Sequence, residues 1–113
     1  MLPVIRRLAD TPAEPCPCGS ARRILSGRDN GVLSVHRVSI SADSRVHYHR
    51  RLTETYYVLA GSGAVELDGV RHPVGPGAVV HIPPGVRHRA VGRLEILNVV
   101  VPPFDPGDEF EDG

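Results

Sequence analysis

Three histidines and one glutamate have the side-chain types and the spacing of a metal site. His47 and His49 are two residues apart in a run that predicts a β-strand, so their side chains project from the same face. Glu54 follows at the start of the next run, and His88 follows the turn formed by residues 83–85. Three imidazoles and one carboxylate that converge on one point suit a divalent transition metal and leave coordination positions open if it prefers six ligands. Spacing alone is also compatible with a structural interpretation. In that case His47 and His49 are half-buried surface residues, and His88 is a residue of a turn or of the core.

The elements that must position these side chains are short β-strands. From Gly31 onward the chain consists of short runs rich in Val, Ile and Tyr, and turns bound each run. Asp68-Gly69 predicts a two-residue hairpin, because both residues tolerate a positive φ. No segment keeps a helical period over three turns. The sequence therefore predicts an all-β fold with strands at Val32–Ile40, Arg45–His49, Thr55–Leu59, Gly63–Leu67, Val70–Val74, Val79–Pro83, His88–Val91 and Glu95–Val101.

So many short strands favour a closed architecture. An open sheet would leave long exposed edges, whereas a small β-barrel or jelly roll closes them and encloses room for one small ligand. The 113 residues suffice for a single domain with one core. We expect a proline-rich N-terminal arm over residues 1–30, with at most a short strand or helical turn near Val4–Leu8. The barrel follows over residues 31–101, and an acidic tail occupies residues 102–113.

Two segments together resemble the paired motifs of the cupin superfamily. The segment from His47-Tyr48-His49 through Glu54 to Gly61 is similar to the first motif, His-x-His-x(3,4)-Glu-x(6)-Gly. The segment from Gly77 through residues 83–85 to His88 is similar to the second, Gly-x(5)-Pro-x-Gly-x(2)-His. The sequence departs from the family where Ser41 replaces a usual glycine and Gly92 replaces a frequent asparagine, neither at a ligand position. The resemblance implies a jelly-roll (double-stranded β-helix) barrel that holds one metal through His47, His49, Glu54 and His88.

Strand alternation predicts which other side chains line the interior. In Val32–Ile40 the face that carries His36 is the better inward candidate, because the opposite face carries Arg37. Tyr56 shares the face of Glu54, and Asn98 alternates along the last strand. We expect His36, Tyr56 and Asn98 to line a substrate pocket, although each also fits a purely structural, hydrogen-bonded role. His72 and His81 match no family ligand, and we expect them to be structural or exposed.

Composition and charge exclude several classes of function. The chain carries 13 basic and 13 acidic residues, so it offers no global charge for nucleic-acid or membrane binding. Every basic residue is arginine, which excludes lysine Schiff-base chemistry. No apolar stretch approaches the roughly 18–20 residues of a membrane span, and no secretory signal is visible. We therefore expect a cytoplasmic protein.

Two features near the ends of the chain lie outside the two motifs. Residues 104–113 contain five acidic and no basic residues, which favours a solvated tail over a latch onto the basic body. Cys16 and Cys18 stand in Cys-Pro-Cys-Gly. A disulfide across one residue would be strained, and the pair lacks the spacing of redox or zinc motifs. A proline-rich loop is the favoured interpretation, with an adventitious metal site as the alternative.

These observations predict a metal-dependent enzyme that acts on a small organic molecule. The metal, which is Mn, Fe, Ni, Co, Cu or Zn, would either activate oxygen or polarise a carbonyl or enolate in isomerase or lyase-type chemistry. The alternatives are a non-catalytic barrel that binds a sugar or small acid and, below it, a structural protein with relic motifs. We also expect a homodimer, because the barrel is small and Val4, Ile5 and Leu8 form an apolar strip suited to a neighbouring sheet edge.

Overall fold

The fold is nearly all β, as the sequence predicts. A computed structural model describes residues 2–113 of the chain. One short 3-10 helix precedes the strands, at Leu8–Asp10. The strands are β1 (Ala13–Cys16), β2 (Gly19–Leu25), β3 (Ser34–Ile40), β4 (Thr53–Leu67), β5 (Val70–Val74), β6 (Val79–Ile82) and β7 (His88–Val101).

The strands form one antiparallel sheet that rolls into a small jelly-roll barrel. The strand order is β1-β2-β3-β7-β4-β5, and β6 pairs with the first half of β4. The long strands β4 and β7 pair along their whole length, from Thr53 opposite Val101 to Leu67 opposite His88. Each of them merges two of the separate runs that the sequence predicts. The merging is possible because β4 bends at a bulge between Val58 and Ala60 instead of ending there.

Glycine allows the two long strands to approach closely at this bend. Gly61 in β4 has a φ of 92°, and a Cβ on it would lie 2.2 Å from the carbonyl oxygen of Arg93 in β7. Gly92 in β7, which pairs with Gly63 in β4, has a φ of 91°. The hairpin at Asp68-Gly69 is confirmed, since Leu67 pairs with Val70 and both turn residues have a positive φ.

The core lies between the inward faces of the rolled sheet. In β3 every second residue is buried, and these are the residues on the predicted inward face, Ser34, His36, Val38 and Ile40. The apolar residues that join Val38 and Ile40 in the core include Tyr56, Val58, Val65, Val80, Ile82, Leu94 and Ile96.

Two local predictions are wrong. Residues 45–49 are not a strand, because their pairing is limited to isolated bridges of His47 with His88 and of Tyr48 with Phe110. Residues 1–30 contain two strands beyond position 10, whereas only a short element near Val4–Leu8 was expected. Strand β2 pairs with β3 from Gly19 to Leu25 and buries Ala21. The sequence does not predict β2 as a strand, because arginines within it and prolines before it interrupt the alternation of apolar and polar residues.

The acidic tail also departs from the expected solvated terminus. Asp108 is buried, and Phe110 exchanges backbone hydrogen bonds with Tyr48. No helix among residues 2–113 has the length and apolar character needed to cross a membrane.

Candidate metal centre

The structure brings the four motif residues together in the middle of the barrel. His47 and His49 come from the segment before β4, Glu54 lies near the start of β4, and His88 is the first residue of β7. One nitrogen or oxygen atom from each lies within 4.8 Å of every other, and they form the one such group of donors in residues 2–113. His49, Glu54 and His88 are buried, and the His47 side chain is 17% exposed.

Backbone carbonyls orient all three imidazole rings in the same way. The Nδ1–H groups of His47, His49 and His88 donate to the carbonyl oxygens of Arg45 (3.0 Å), Asp108 (2.5 Å) and Val86 (2.9 Å). A carbonyl oxygen only accepts, so Nδ1 carries the proton in each neutral ring. The Nε2 lone pairs of all three rings therefore remain for the centre of the cluster. This is the arrangement in which an outer hydrogen bond fixes the tautomer of a metal-binding histidine.

Glu54 brings the one negative charge into this group. Its Oε1 lies 3.0 Å from Nε2 of both His49 and His88, and its Oε2 accepts a hydrogen bond from Nδ2 of Asn98 at 2.7 Å. Burial alone would raise the pKa of Glu54, but the close contacts of its Oε1 with the imidazole rings of His49 and His88 outweigh burial and lower it. Burial likewise opposes protonation of His49, yet the contact with Glu54 raises the pKa of that imidazole.

The chemistry of this donor set fits a divalent transition metal. Two Nε2 atoms approach Glu54 Oε1 at hydrogen-bond distance while their Nδ1–H groups are already used. Lone pairs so close to a carboxylate need a cation between them, which can be a proton on the imidazole or a metal ion. Three imidazole nitrogens and one carboxylate oxygen are the ligands that such ions accept.

A residue of the C-terminal tail fixes the loop between His49 and Glu54. Oδ1 of Asp108 accepts the backbone N–H of Arg50 (3.1 Å), and Oδ2 accepts those of Arg51 and Leu52 (both 2.9 Å). These bonds hold the pKa of Asp108 below its ordinary value, although burial acts in the opposite direction. The sequence does not single out Asp108, because nothing distinguishes it from the other acidic residues of the tail.

The cluster opens onto a cavity of about 950 Å³. His36, Tyr56 and Asn98 all line it, and they form one row across three adjacent strands, because Asn98 pairs with His36 on one side and Tyr56 on the other. Apolar residues line much of the remaining wall, among them Val38, Ile40, Ala90, Ile96 and Phe104.

The row of polar side chains is electrically neutral. Burial, reinforced by the nearby Arg23 guanidinium, lowers the pKa of His36 to about 4. Burial raises the pKa of Tyr56 well above its ordinary value. Oδ1 of Asn98 has no hydrogen-bond partner in the part of the chain that the structure describes. The row therefore presents uncharged hydrogen-bonding groups to the cavity near neutral pH.

The other two histidines lie outside this site. His72 and His81 are exposed on the outer surface of the barrel, and His81 contacts the hydroxyl of Thr55 through Nδ1 at 2.9 Å.

The fold and site define a small antiparallel barrel with a buried three-histidine, one-glutamate cluster at its centre. Residues 34–100 match the cupin domain family, and the chain belongs to that family. The architecture and the motif resemblance lead to the same family, so the recognition from sequence is confirmed.

Three similar proteins accompany this assignment. A protein from Planctomyces limnophilus of known crystal structure is 41% identical, with a TM-score of 0.92 over 97% of each chain. Protein SchB of Streptomyces halstedii is 36% identical over 71% of this chain, which spans 61% of SchB. The polyketide cyclase RemF of Streptomyces resistomycificus is 28% identical, with a TM-score of 0.74 over 94% of this chain and 82% of RemF.

Proposed function

We propose that this cupin is a metal-dependent enzyme of the isomerase or lyase type that acts on a small organic molecule. One divalent ion, which is Mn, Fe, Ni, Co, Cu or Zn, would be held by His47, His49, Glu54 and His88. The observation that carries the proposal is the set of three Nε2 lone pairs and one carboxylate at the inner end of a 950 Å³ cavity. Such an ion, when bound, polarises a carbonyl or enolate oxygen of the substrate.

The residues of the cavity wall would bind and orient the substrate. The Tyr56 hydroxyl keeps its proton and is a donor, while Asn98 Oδ1 is an acceptor in need of a partner. The guanidinium of Arg23 lies 3.4 Å from Nδ1 of His36, so Nδ1 is the accepting nitrogen and Nε2–H donates to the Ser34 hydroxyl at 2.8 Å. Neutral donors and acceptors of this kind suit hydroxyl and carbonyl groups, and the apolar wall suits a carbon skeleton.

One relative whose name states an activity favours non-oxidative chemistry over oxygen activation. RemF, which is a polyketide cyclase, shares the fold and 28% of aligned residues with this chain. One common route to cyclisation, isomerisation and elimination starts with the loss of a proton next to a carbonyl group, and a divalent ion held by the four ligands would stabilise the enolate charge that this loss creates. A barrel that only binds a sugar or small acid is the alternative, and the same experiment distinguishes the two.

The test is proton exchange in metal-loaded protein. We expect the loaded protein to incorporate deuterium from heavy water into α-hydroxy ketones or 1,3-dicarbonyl compounds, followed by NMR, without consuming oxygen. The matched control is His81→Ala, which alters an exposed histidine outside the cluster and should keep full activity. His49→Ala should lose it. Oxygen uptake would indicate an oxygenase, and binding without exchange would indicate the non-catalytic alternative. Either result would overturn the proposal.

We also propose that the chain works as a homodimer in the cytoplasm. Val4, Ile5 and Leu8 are 39%, 77% and 37% exposed in the single chain, which supports a role of this N-terminal strip in association. The chain has one pair of cysteines and no disulfide framework, which suits a reducing compartment.

A further inference from the structure

The turn between β1 and β2 brings two thiols together at the wall of the cavity. Cys16 is the last residue of β1 and pairs with Gly19, so Pro17 and Cys18 form the tip of a two-residue hairpin. The Sγ atoms of Cys16 and Cys18 are 2.6 Å apart. Both side chains are partly buried against the core, and both line the cavity. Neither belongs to the metal-ligand cluster.

The distance between the sulfur atoms decides between two uses of such a pair. Two thiolates that bind one zinc ion at about 2.3 Å in tetrahedral geometry lie roughly 3.8 Å apart. A disulfide bond is about 2.05 Å long, so the thiols must approach by only about 0.6 Å to form one. The spacing of the sulfurs is therefore closer to bond formation than to shared coordination of a metal, and no third donor lies with them in residues 2–113.

We infer that Cys16 and Cys18 form a redox-reactive dithiol that closes reversibly to an intrachain disulfide. With hydrogen peroxide, the Cys16 sulfur attacks one oxygen and becomes a sulfenic acid, with release of water. The Cys18 sulfur then displaces the hydroxyl group as a second water while its proton leaves. Two thiols and one peroxide thus give one disulfide and two waters. With oxidised glutathione, the same two displacements release two molecules of reduced glutathione.

The surroundings of the pair assign the order of these steps. Burial, together with the hydrogen bond to Cys16, raises the pKa of the Cys18 thiol to about 12. This direction favours Cys16 as the sulfur that reacts first, and the two single-cysteine variants test that order. Pro17 restricts the backbone between the two sulfurs, which reduces the entropy that is lost on closure.

The strain expected across a single intervening residue makes the disulfide easy to reduce. A strained bridge has a more oxidising potential than a structural one, and such bridges are the labile ones. The turn is also joined to the rim of the cavity, because the carbonyl oxygen of Cys18 accepts the backbone N–H groups of Ser41 (2.9 Å) and Ala42 (3.1 Å). Closure therefore alters the wall of the cavity and leaves the metal ligands in place.

The experiment treats the reduced full chain with hydrogen peroxide or oxidised glutathione, blocks remaining thiols with N-ethylmaleimide and measures the intact mass. We expect the loss of two hydrogen atoms, no maleimide adduct, and full reversal by dithiothreitol. Closure in the folded protein should be at least about tenfold faster than in guanidinium chloride, because the fold holds the sulfurs together.

Single variants separate the two sulfurs. Cys18→Ser should stop at a sulfenic acid or a mixed disulfide on Cys16, while Cys16→Ser should react at least about tenfold more slowly. Both should bind metal as the wild-type chain does, which checks their folding. Stable mixed disulfides on the wild-type chain, disulfide-linked dimers, or equal closure rates in folded and unfolded protein would overturn the inference.

Discussion

The side chain of Asp108 should stabilise both the fold and the metal site, although it lies in the tail and touches no metal. Its carboxylate accepts three backbone N–H groups from the loop between His49 and Glu54, and its own carbonyl accepts Nδ1–H of His49. Asp108→Ala removes the carboxylate and leaves the carbonyl. The loop then loses the anchor that fixes the separation of two ligands.

The size of the effect follows from these contacts. A hydrogen bond to a charged group contributes about 1.5–3 kcal/mol. Water can replace the carboxylate at the part-buried N–H groups of Arg50 and Arg51, whereas the N–H of Leu52 is buried and would be left without a partner. We therefore expect Asp108→Ala to lower the free energy of unfolding by about 2–4 kcal/mol, and metal affinity to fall roughly 10- to 100-fold, as for other groups that orient ligands.

Urea unfolding measures the change in stability, and metal titration measures the change in affinity. Two further variants serve as an intermediate case and as a control. Asp108→Asn can keep the oxygen that accepts from Arg51 and Leu52, so its losses should be smaller than those of the alanine variant. Asp112→Ala removes an exposed carboxylate of the same tail that pairs with Arg87, and it should change neither quantity measurably. An Asp108→Ala variant with wild-type stability and metal affinity would refute this role.

The remaining predictions concern pH, backbone and assembly. Metal affinity should fall as the pH drops, because the contact with Glu54 raises the pKa of His49 in the metal-free protein and protons then compete with the ion for Nε2. Calorimetric titration between pH 5 and 8 tests this, and an affinity that does not change with pH would contradict it. The free energy of unfolding of metal-free protein should decrease as the pH falls below about 4.5, the ordinary pKa of Glu54. The lowered folded-state pKa gives a stabilisation that is complete above that value and is lost progressively as the pH falls toward the folded-state pKa. Acid titration followed by circular dichroism checks this, and Glu54→Gln should flatten the profile. Gly61→Ala should destabilise the fold by roughly 1–3 kcal/mol, because it places a Cβ against the carbonyl oxygen of Arg93 in a residue with a positive φ. The control Gly75→Ala places a Cβ where no atom lies within 4 Å, so it should be tolerated. Equal thermal stability of the two variants would be inconsistent with the close approach of β4 and β7. Light scattering should give twice the 12.2 kDa of the single chain, and Ile5→Glu should shift the mass toward one chain; a wild-type mass near 12.2 kDa would rule out the dimer.

Much of the fold follows from local patterns in the sequence. The alternation of residues in β3 identifies the buried face of that strand, and Asp68-Gly69 identifies the hairpin between β4 and β5. Both features depend only on neighbouring residues. The bend in β4 does not follow, since the need for glycine at position 61 becomes visible only once the carbonyl oxygen of Arg93 lies against it. Strand β2 is hidden for a similar reason, because Arg22 and Arg23 interrupt the apolar pattern and its pairing with β3 is a tertiary fact.

The candidate site shows the same division. The sequence identifies the four candidate ligands through their residue types and their spacing in the two motifs. These residues are His47, His49, Glu54 and His88. The carbonyl groups that orient the imidazoles carry no side-chain signature, so the sequence contains no trace of them. Asp108 lies more than 50 residues from the loop it holds, and one acidic residue among five in the tail cannot be singled out from composition.

The most direct test of the proposed metal site is anomalous diffraction from crystals loaded in turn with Mn, Fe, Co, Ni, Cu and Zn. A single peak should lie about 2.0–2.3 Å from the Nε2 atoms of His47, His49 and His88 and from a carboxylate oxygen of Glu54. The Nδ1–H groups should keep their carbonyl partners. A peak elsewhere in the molecule, an imidazole turned away from the ion, or no peak at any of these edges in the loaded crystals would contradict the account.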